Sequence, residues 1–210
     1  TKLKFDDYFV QEGLAFRFTP FNYKKWGDAE GDNGYAIDTE KFYENVMNRY
    51  KYGGLDTPGL YLDETTMRIC YSHRRLFAQL AKELVKQGDN ARAQKVLAYA
   101  EQAIPAYNVP QVYESGSYEI ATAYASIGES GKAITLLNDL IAESRDYIDW
   151  AFSLGDSRIA MVQRDCLYKF WQWNQCNELL KDMDKERYKQ SNQQFEEKYM
   201  RLAQLMNYQN

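Results

Sequence analysis

Histidine is almost missing from this chain, and cysteine and proline are sparse, with one His, three Cys and four Pro among 210 residues. A single histidine, His73, leaves no second imidazole for a zinc site of ordinary composition. It stands in Tyr71-Ser-His-Arg-Arg75 with no glycine-flanked nucleophilic serine nearby, so it reads as a packing or hydrogen-bonding residue. Cys70, Cys166 and Cys176 are too few for a disulfide framework. The last two share one expected helix, whose ten-residue rise of about 15 Å exceeds the roughly 7 Å between Cα atoms that a disulfide tolerates. All three therefore read as buried thiols.

Basic excess is missing as well. A net charge of −4 argues against a general nucleic-acid binder, which would carry a basic patch or stripe. No apolar run reaches the roughly 18–20 residues that cross a bilayer, so no span is expected within this sequence. The first residue is Thr1, and the expectation is a processed chain or a piece of a longer protein. Apolar residues at 45% and charged residues at 27% are ordinary for a globular chain long enough to bury a core.

Metal and acid–base chemistry find little support. Asp28, Glu30 and Asp32 fall at positions 1, 3 and 5 of a calcium-loop pattern. Asn33 then replaces the turn glycine, and Thr39 replaces the bidentate glutamate, so the segment reads as a solvated loop. The carboxylate pairs Asp63/Glu64 and Asp146/Asp149 read as a helix start and a solvated face. No cofactor, metal or catalytic residue is expected.

What is present is self-similarity. Leu80/Ile120, Ala81/Ala121, Leu84/Tyr124, Gly88/Gly128, Ala93/Ala133 and Leu97/Leu137 keep one offset of forty residues. Small residues at Ala81 and Ala93 let two antiparallel helices approach, while Gly88 ends the first of them. This is the tetratricopeptide pattern, a helix–turn–helix unit of about 34 residues that must stack to bury its apolar face. The surplus fits a connector over 106–111, where Pro105 and Pro110 interrupt helix. The expected fold is predominantly all-α. Residues 1–60 would form an extended segment plus one helix, 61–145 two tetratricopeptide-like repeats, and 146–210 C-terminal capping helices.

Local signals fill in this plan. Alternation at Phe16, Arg17, Phe18 and Thr19 predicts a short strand that Pro20 confines to an edge. Asp38 or Thr39 opens a helix through Phe42 and Val46, ended by Gly53-Gly54. Asp63 caps the next, with Glu64 near its positive end. Residues 147–154 read as a short helix stopped by Gly155, with Asp156 capping its successor. Ile159, Val162, Cys166, Phe170, Trp173 and Leu180 then recur at helical spacing, and Phe195, Tyr199, Leu202 and Met206 share one face of a last helix. Trp171 and Trp173 lie about 200° apart on a helix, so one faces the core and the other is wetter.

The repeat register also places a groove. With Arg74 as the first position, the inward residues are Arg75, Ala78, Lys82 and Val85, with Lys86 beside them. Their counterparts are Ser115, Tyr118, Thr122 and Ala125. A cationic side facing a small, hydroxyl-bearing side suits an acidic or carboxylate-ended peptide.

Several segments carry a family resemblance. They are Glu12-Gly-Leu-Ala-Phe-Arg-Phe-Thr-Pro20, Tyr43-Glu-Asn-Val-Met-Asn-Arg-Tyr-Lys-Tyr-Gly-Gly-Leu-Asp56, Tyr61-Leu-Asp-Glu64, Cys70-Tyr-Ser-His-Arg-Arg-Leu-Phe-Ala-Gln-Leu80, Ile104-Pro-Ala-Tyr-Asn-Val-Pro110 and Tyr147-Ile-Asp-Trp-Ala-Phe-Ser-Leu154. Across these, the chain resembles the soluble C-terminal region of a bacterial family of protein O-mannosyltransferase-like membrane proteins, often catalogued as having an unknown function. The resemblance implies a tail attached to a membrane glycosyltransferase-like parent, on the extracytoplasmic (periplasmic) side. The catalytic part of such a parent has no match here, so no catalytic residue carries over. The expected function is non-catalytic: binding or positioning an acceptor protein or peptide, or bracing the parent's membrane domain. The alternatives are an accessory region completing the donor or acceptor site, through Arg17, Glu12 or the acidic loop, and a purely structural or dimerising module.

Overall fold

A computed structural model of the protein describes residues 5–22, 34–155 and 158–207. The acidic loop with Asp28, Glu30 and Asp32, and the capping residue Asp156, lie outside the described residues. Helix dominates, at 71%, with little strand. The chain divides into two compact units, Thr1–Pro110 and Gln111–Asn210.

The first unit begins with a small sheet. Strand β1 (Phe9–Gln11) pairs antiparallel with β2 (Phe16–Phe18) and parallel with β3 (Ala36–Ile37), in the order β2-β1-β3. Val10, Ala36 and Ile37 are buried, giving the sheet one apolar anchor. Asp38 accepts a hydrogen bond from the Lys41 backbone N–H at 3.1 Å and caps α1 (Thr39–Glu44). The sequence lets this helix run to Gly53-Gly54, but it widens into a five-residue π turn (Asn45–Arg49) and stops there. Tyr50 turns extended, and its hydroxyl accepts the Leu14 backbone N–H at 2.9 Å, tying the helix end to the β1–β2 turn.

Two long helices come next. Asp63 caps α2 (Glu64–Lys86) by accepting the Thr66 N–H at 2.8 Å, and α3 (Asn90–Ala103) packs back against it. Phe77, Leu80, Ala81, Leu84, Ala93, Val96 and Leu97 are all fully buried. Between the helices Gly88 takes φ 78°. Its N–H bonds to the Val85 carbonyl, and the Asp89 N–H reaches back to Leu84. That pair of bonds satisfies carbonyls that a helix end otherwise leaves open. The buried Arg74 then ties down the segment after α3. It donates to the carbonyls of Ile104 (3.2 Å), Val109 (2.7 Å) and Pro110 (2.8 Å). Burial lowers its pKa to about 10, so it remains charged at neutral pH.

The second unit is helical throughout its described residues. A 3-10 turn (Tyr113–Ser115) leads through Gly116 into α4 (Ser117–Ser126), followed by α5 (Ser130–Ser153), α6 (Ile159–Met183) and α7 (Lys185–Asn207). The sequence separates 147–154 as its own helix. Instead α5 runs unbroken through it, since no proline or glycine intervenes, and Ile148 and Ala151 stay on its buried face. Helix α5 packs on α4 and α6, and α6 on α7. One cluster of Leu137, Leu140, Ile148, Cys166, Phe170, Trp173, Leu180 and Leu202 forms the core. Trp173 is wholly buried, and its indole N–H donates to Ser191 Oγ at 2.7 Å. Trp171 is 47% exposed. Gly128, between α4 and α5, has φ 86°. Its N–H bonds to Ala125, and the Glu129 N–H bonds to Tyr124, the arrangement seen at Gly88.

Candidate functional site

Helical spacing puts Arg75, Ala78, Lys82, Val85 and Lys86 on one stripe of α2. Arg75, Lys82 and Lys86 are exposed, Val85 is half-buried and Ala78 is buried. Arg75 donates to Ser72 Oγ at 3.3 Å. Lys86 Nζ donates to Glu83 Oε1 at 2.7 Å, and Glu83 itself is almost wholly buried. Part of the positive charge of Lys86 is therefore answered from inside the unit. Arg75 and Lys82 present their side chains on the exposed part of the stripe.

Ser115, Tyr118 and Thr122 belong to the second unit. Ser115 lies in the 3-10 turn rather than on α4 and is fully buried. Its hydroxyl donates to the Val112 carbonyl at 2.7 Å and lies 2.8 Å from Ser117 Oγ. Thr122 donates to the Tyr118 carbonyl at 2.9 Å, one turn back. Both hydroxyls are thus engaged locally. Tyr118 is half-buried and stacks on Tyr113, with ring centroids 5.2 Å apart. Burial raises the Tyr118 phenol above its ordinary pKa, so it stays protonated.

A second constellation, in the first unit, has no counterpart among the sequence expectations. His73 meets the rings of Tyr50 (6.1 Å) and Tyr52 (5.5 Å) edge-on, and Tyr52 also packs against Phe77 and Tyr99. Burial lowers the His73 pKa, which keeps the imidazole neutral. Its Nδ1 is buried with no hydrogen-bond partner among the described residues. Cys70, one turn earlier, is held as a thiol because burial raises its pKa. Two cavities of about 370 Å³ and 240 Å³ share Lys51, Tyr52, Gly53 and Leu55, and His73 lines the smaller one. The signal that could have found this cluster is Tyr50-Lys-Tyr-Gly-Gly54, two rings before a glycine pair. Neutral imidazole, thiol and the Tyr52 ring together form a wall of the smaller cavity.

Glu12 and Arg17 are occupied with each other. Burial raises the Glu12 pKa, but hydrogen bonds from Arg17 and from Lys41 (3.2 Å) outweigh it and hold the carboxyl below its ordinary value. Arg17 also approaches Asp38 at 3.6 Å. These charges fasten the β1–β2 turn to the start of α1. Among the described residues no group of three or more His, Cys, Asp or Glu could hold a metal ion, and no helix is long and apolar enough to cross a membrane.

No family model, curated protein or solved structure matches this chain.

Proposed function

We propose that this chain is a non-catalytic interaction module whose helix pairs are of tetratricopeptide-like build. The observation that carries the reading is the correspondence of two turns forty residues apart. Gly88 and Gly128 share a left-handed conformation and the same two backbone hydrogen bonds, and each turn has fully buried alanines on both sides, Ala81/Ala93 and Ala121/Ala133. Small residues at a helix seam permit close approach, and stacked units of this kind present surfaces that bind rather than transform. The exposed Arg75 and Lys82 on α2 suit an acidic or carboxylate-ended peptide, as part of an acceptor protein or of the parent protein itself. On the strength of the segment resemblance, the parent is a membrane glycosyltransferase-like protein, with this module on its extracytoplasmic side.

Calorimetric titration with an acidic peptide bearing a free C-terminal carboxylate tests the groove. Lys82→Glu replaces attraction by repulsion and should weaken binding about tenfold, and Arg75→Glu should act in the same direction. If neither variant changes the affinity, the groove reading fails.

A further inference from the structure

A row of aromatic rings edges the second unit's core cluster, with Tyr113 and Tyr118 partly buried against it. Tyr118 and Tyr113 stack at 5.2 Å and 21°. Tyr113 meets Trp171 at 5.4 Å and 64°, and Trp171 stacks on Tyr168 at 5.6 Å and 17°. Tyr168 and Trp171 are each 47% exposed, although Trp173, two residues on, is completely buried. Packing on α6 is thus satisfied by the second tryptophan, and the first leaves its ring in solvent beside three tyrosines.

An acidic side chain borders this face. Glu119 is exposed next to Tyr118, and its carboxylate adds to burial in keeping both Tyr113 and Tyr118 protonated. Residues 1–110 carry equal numbers of acidic and basic side chains, so the whole net charge of −4 falls on residues 111–210. The basic side chain nearest the row in sequence, Lys169, is already held by Glu143 at 2.9 Å and Glu114 at 3.5 Å. Ring faces are electron-rich and attract cations, more so beside a carboxylate. The chain uses this attraction itself, with Arg92 over Tyr43, Lys132 over Tyr124, Lys181 over Tyr188 and Arg201 over Phe152. Among the described residues no cation covers the four rings of the row.

We propose that the Tyr118–Tyr113–Trp171–Tyr168 row, with Glu119 beside it, is a docking face for an arginine- or lysine-bearing peptide segment. A cationic head group would lie on the exposed ring faces, and Glu119 would supply the counter-charge. A sugar ligand would need hydrogen-bonding groups around the rings. Gln172, next to Trp171 in sequence, is buried, and its side-chain N–H already donates to Glu114 at 2.6 Å. The proposal does not rest on the α2 stripe, which favours a partner of opposite charge.

The test is calorimetric titration of the full chain with an acetylated, amidated pentapeptide alternating glycine and arginine. Matched peptides carrying citrulline or glutamate, and a neutral oligosaccharide, serve as the other arms. The arginine peptide should bind, more weakly at higher salt, and the citrulline and glutamate peptides should not. Trp171→Ala should weaken the arginine peptide by about fivefold or more, and the surface change Glu119→Gln, which removes no packing, should weaken it severalfold. Equal binding of the citrulline peptide would overturn the proposal. So would binding of the oligosaccharide alone, or unchanged affinity in both variants. Loss of acidic-peptide binding in Lys82→Glu with arginine-peptide binding retained separates this face from the groove.

Discussion

Arg74 and Glu114 stand forty residues apart, at matching places before the first and second glycine turns, and they do opposite things. Arg74 is buried and reaches forward to three backbone carbonyls beyond α3. Glu114 is partly exposed and accepts hydrogen bonds from Gln172 and Lys169 on α6. Each helix pair must fasten itself to the next stretch of chain. Beyond the first pair lies a connector outside regular helix, and a buried guanidinium holds its backbone. Beyond the second lie long helices, so a carboxylate needs to supply only an edge contact. Inside the turns the two pairs are alike, and where they meet their surroundings they differ.

The largest expected effect separates Arg74 from Glu114. Arg74→Met should cost about 3 kcal/mol, because it leaves carbonyls at Ile104 and Val109 without their donor in a buried site. Glu114→Gln should cost under about 1 kcal/mol, since the group is partly exposed and its ion pair screened. Urea unfolding of both variants measures the difference, and similar losses would break the comparison.

Next comes the likeness of the turns. An alanine Cβ would meet nothing within 4 Å at either Gly88 or Gly128, so only the left-handed backbone resists substitution. Gly88→Ala and Gly128→Ala should each cost about 1 kcal/mol, and the two values should agree. Unequal losses would show that one turn depends on its surroundings.

The smallest effect concerns the helix starts just after the turns. Asp89 accepts the Arg92 N–H at 3.0 Å, whereas Glu129 makes no side-chain cap. Hydrogen bonds from the Arg92 backbone and side chain hold the Asp89 carboxyl below its ordinary value of 3.8. A carboxyl depressed in the folded state contributes stability above its unfolded value and loses it as pH falls through the folded one. Thermal unfolding followed below about pH 4 should therefore show a shallower acid loss in Asp89→Ala than in the unsubstituted chain.

The alanines and glycines of both turns were legible in the sequence because a close helix seam tolerates few other residues. Capping at Asp63 was legible for the same reason, since few side chains satisfy a helix start. Arg74 was not, because its partners are backbone carbonyls and carry no side-chain signature. The parallel pairing of β3 was not either, since two residues are too few to show a period. At the site, the α2 stripe came from the repeat register, and the angle between Trp171 and Trp173 required that one of them be wetter without saying which. Ser115 escaped this reasoning, because a single glycine, Gly116, moves it off the helix and into a buried turn. The His73 cluster joins three segments, and of these only the Tyr50-Lys-Tyr-Gly-Gly54 stretch carries a local signal.

Both helix pairs close through alanine-sized contacts. Ala93→Leu and Ala133→Leu, followed by thermal and urea unfolding, test this most directly. Both sites are fully buried, so each leucine should overpack its seam and cost about 1–3 kcal/mol. Full stability in either variant would mean that the seam has room to spare and would contradict the account.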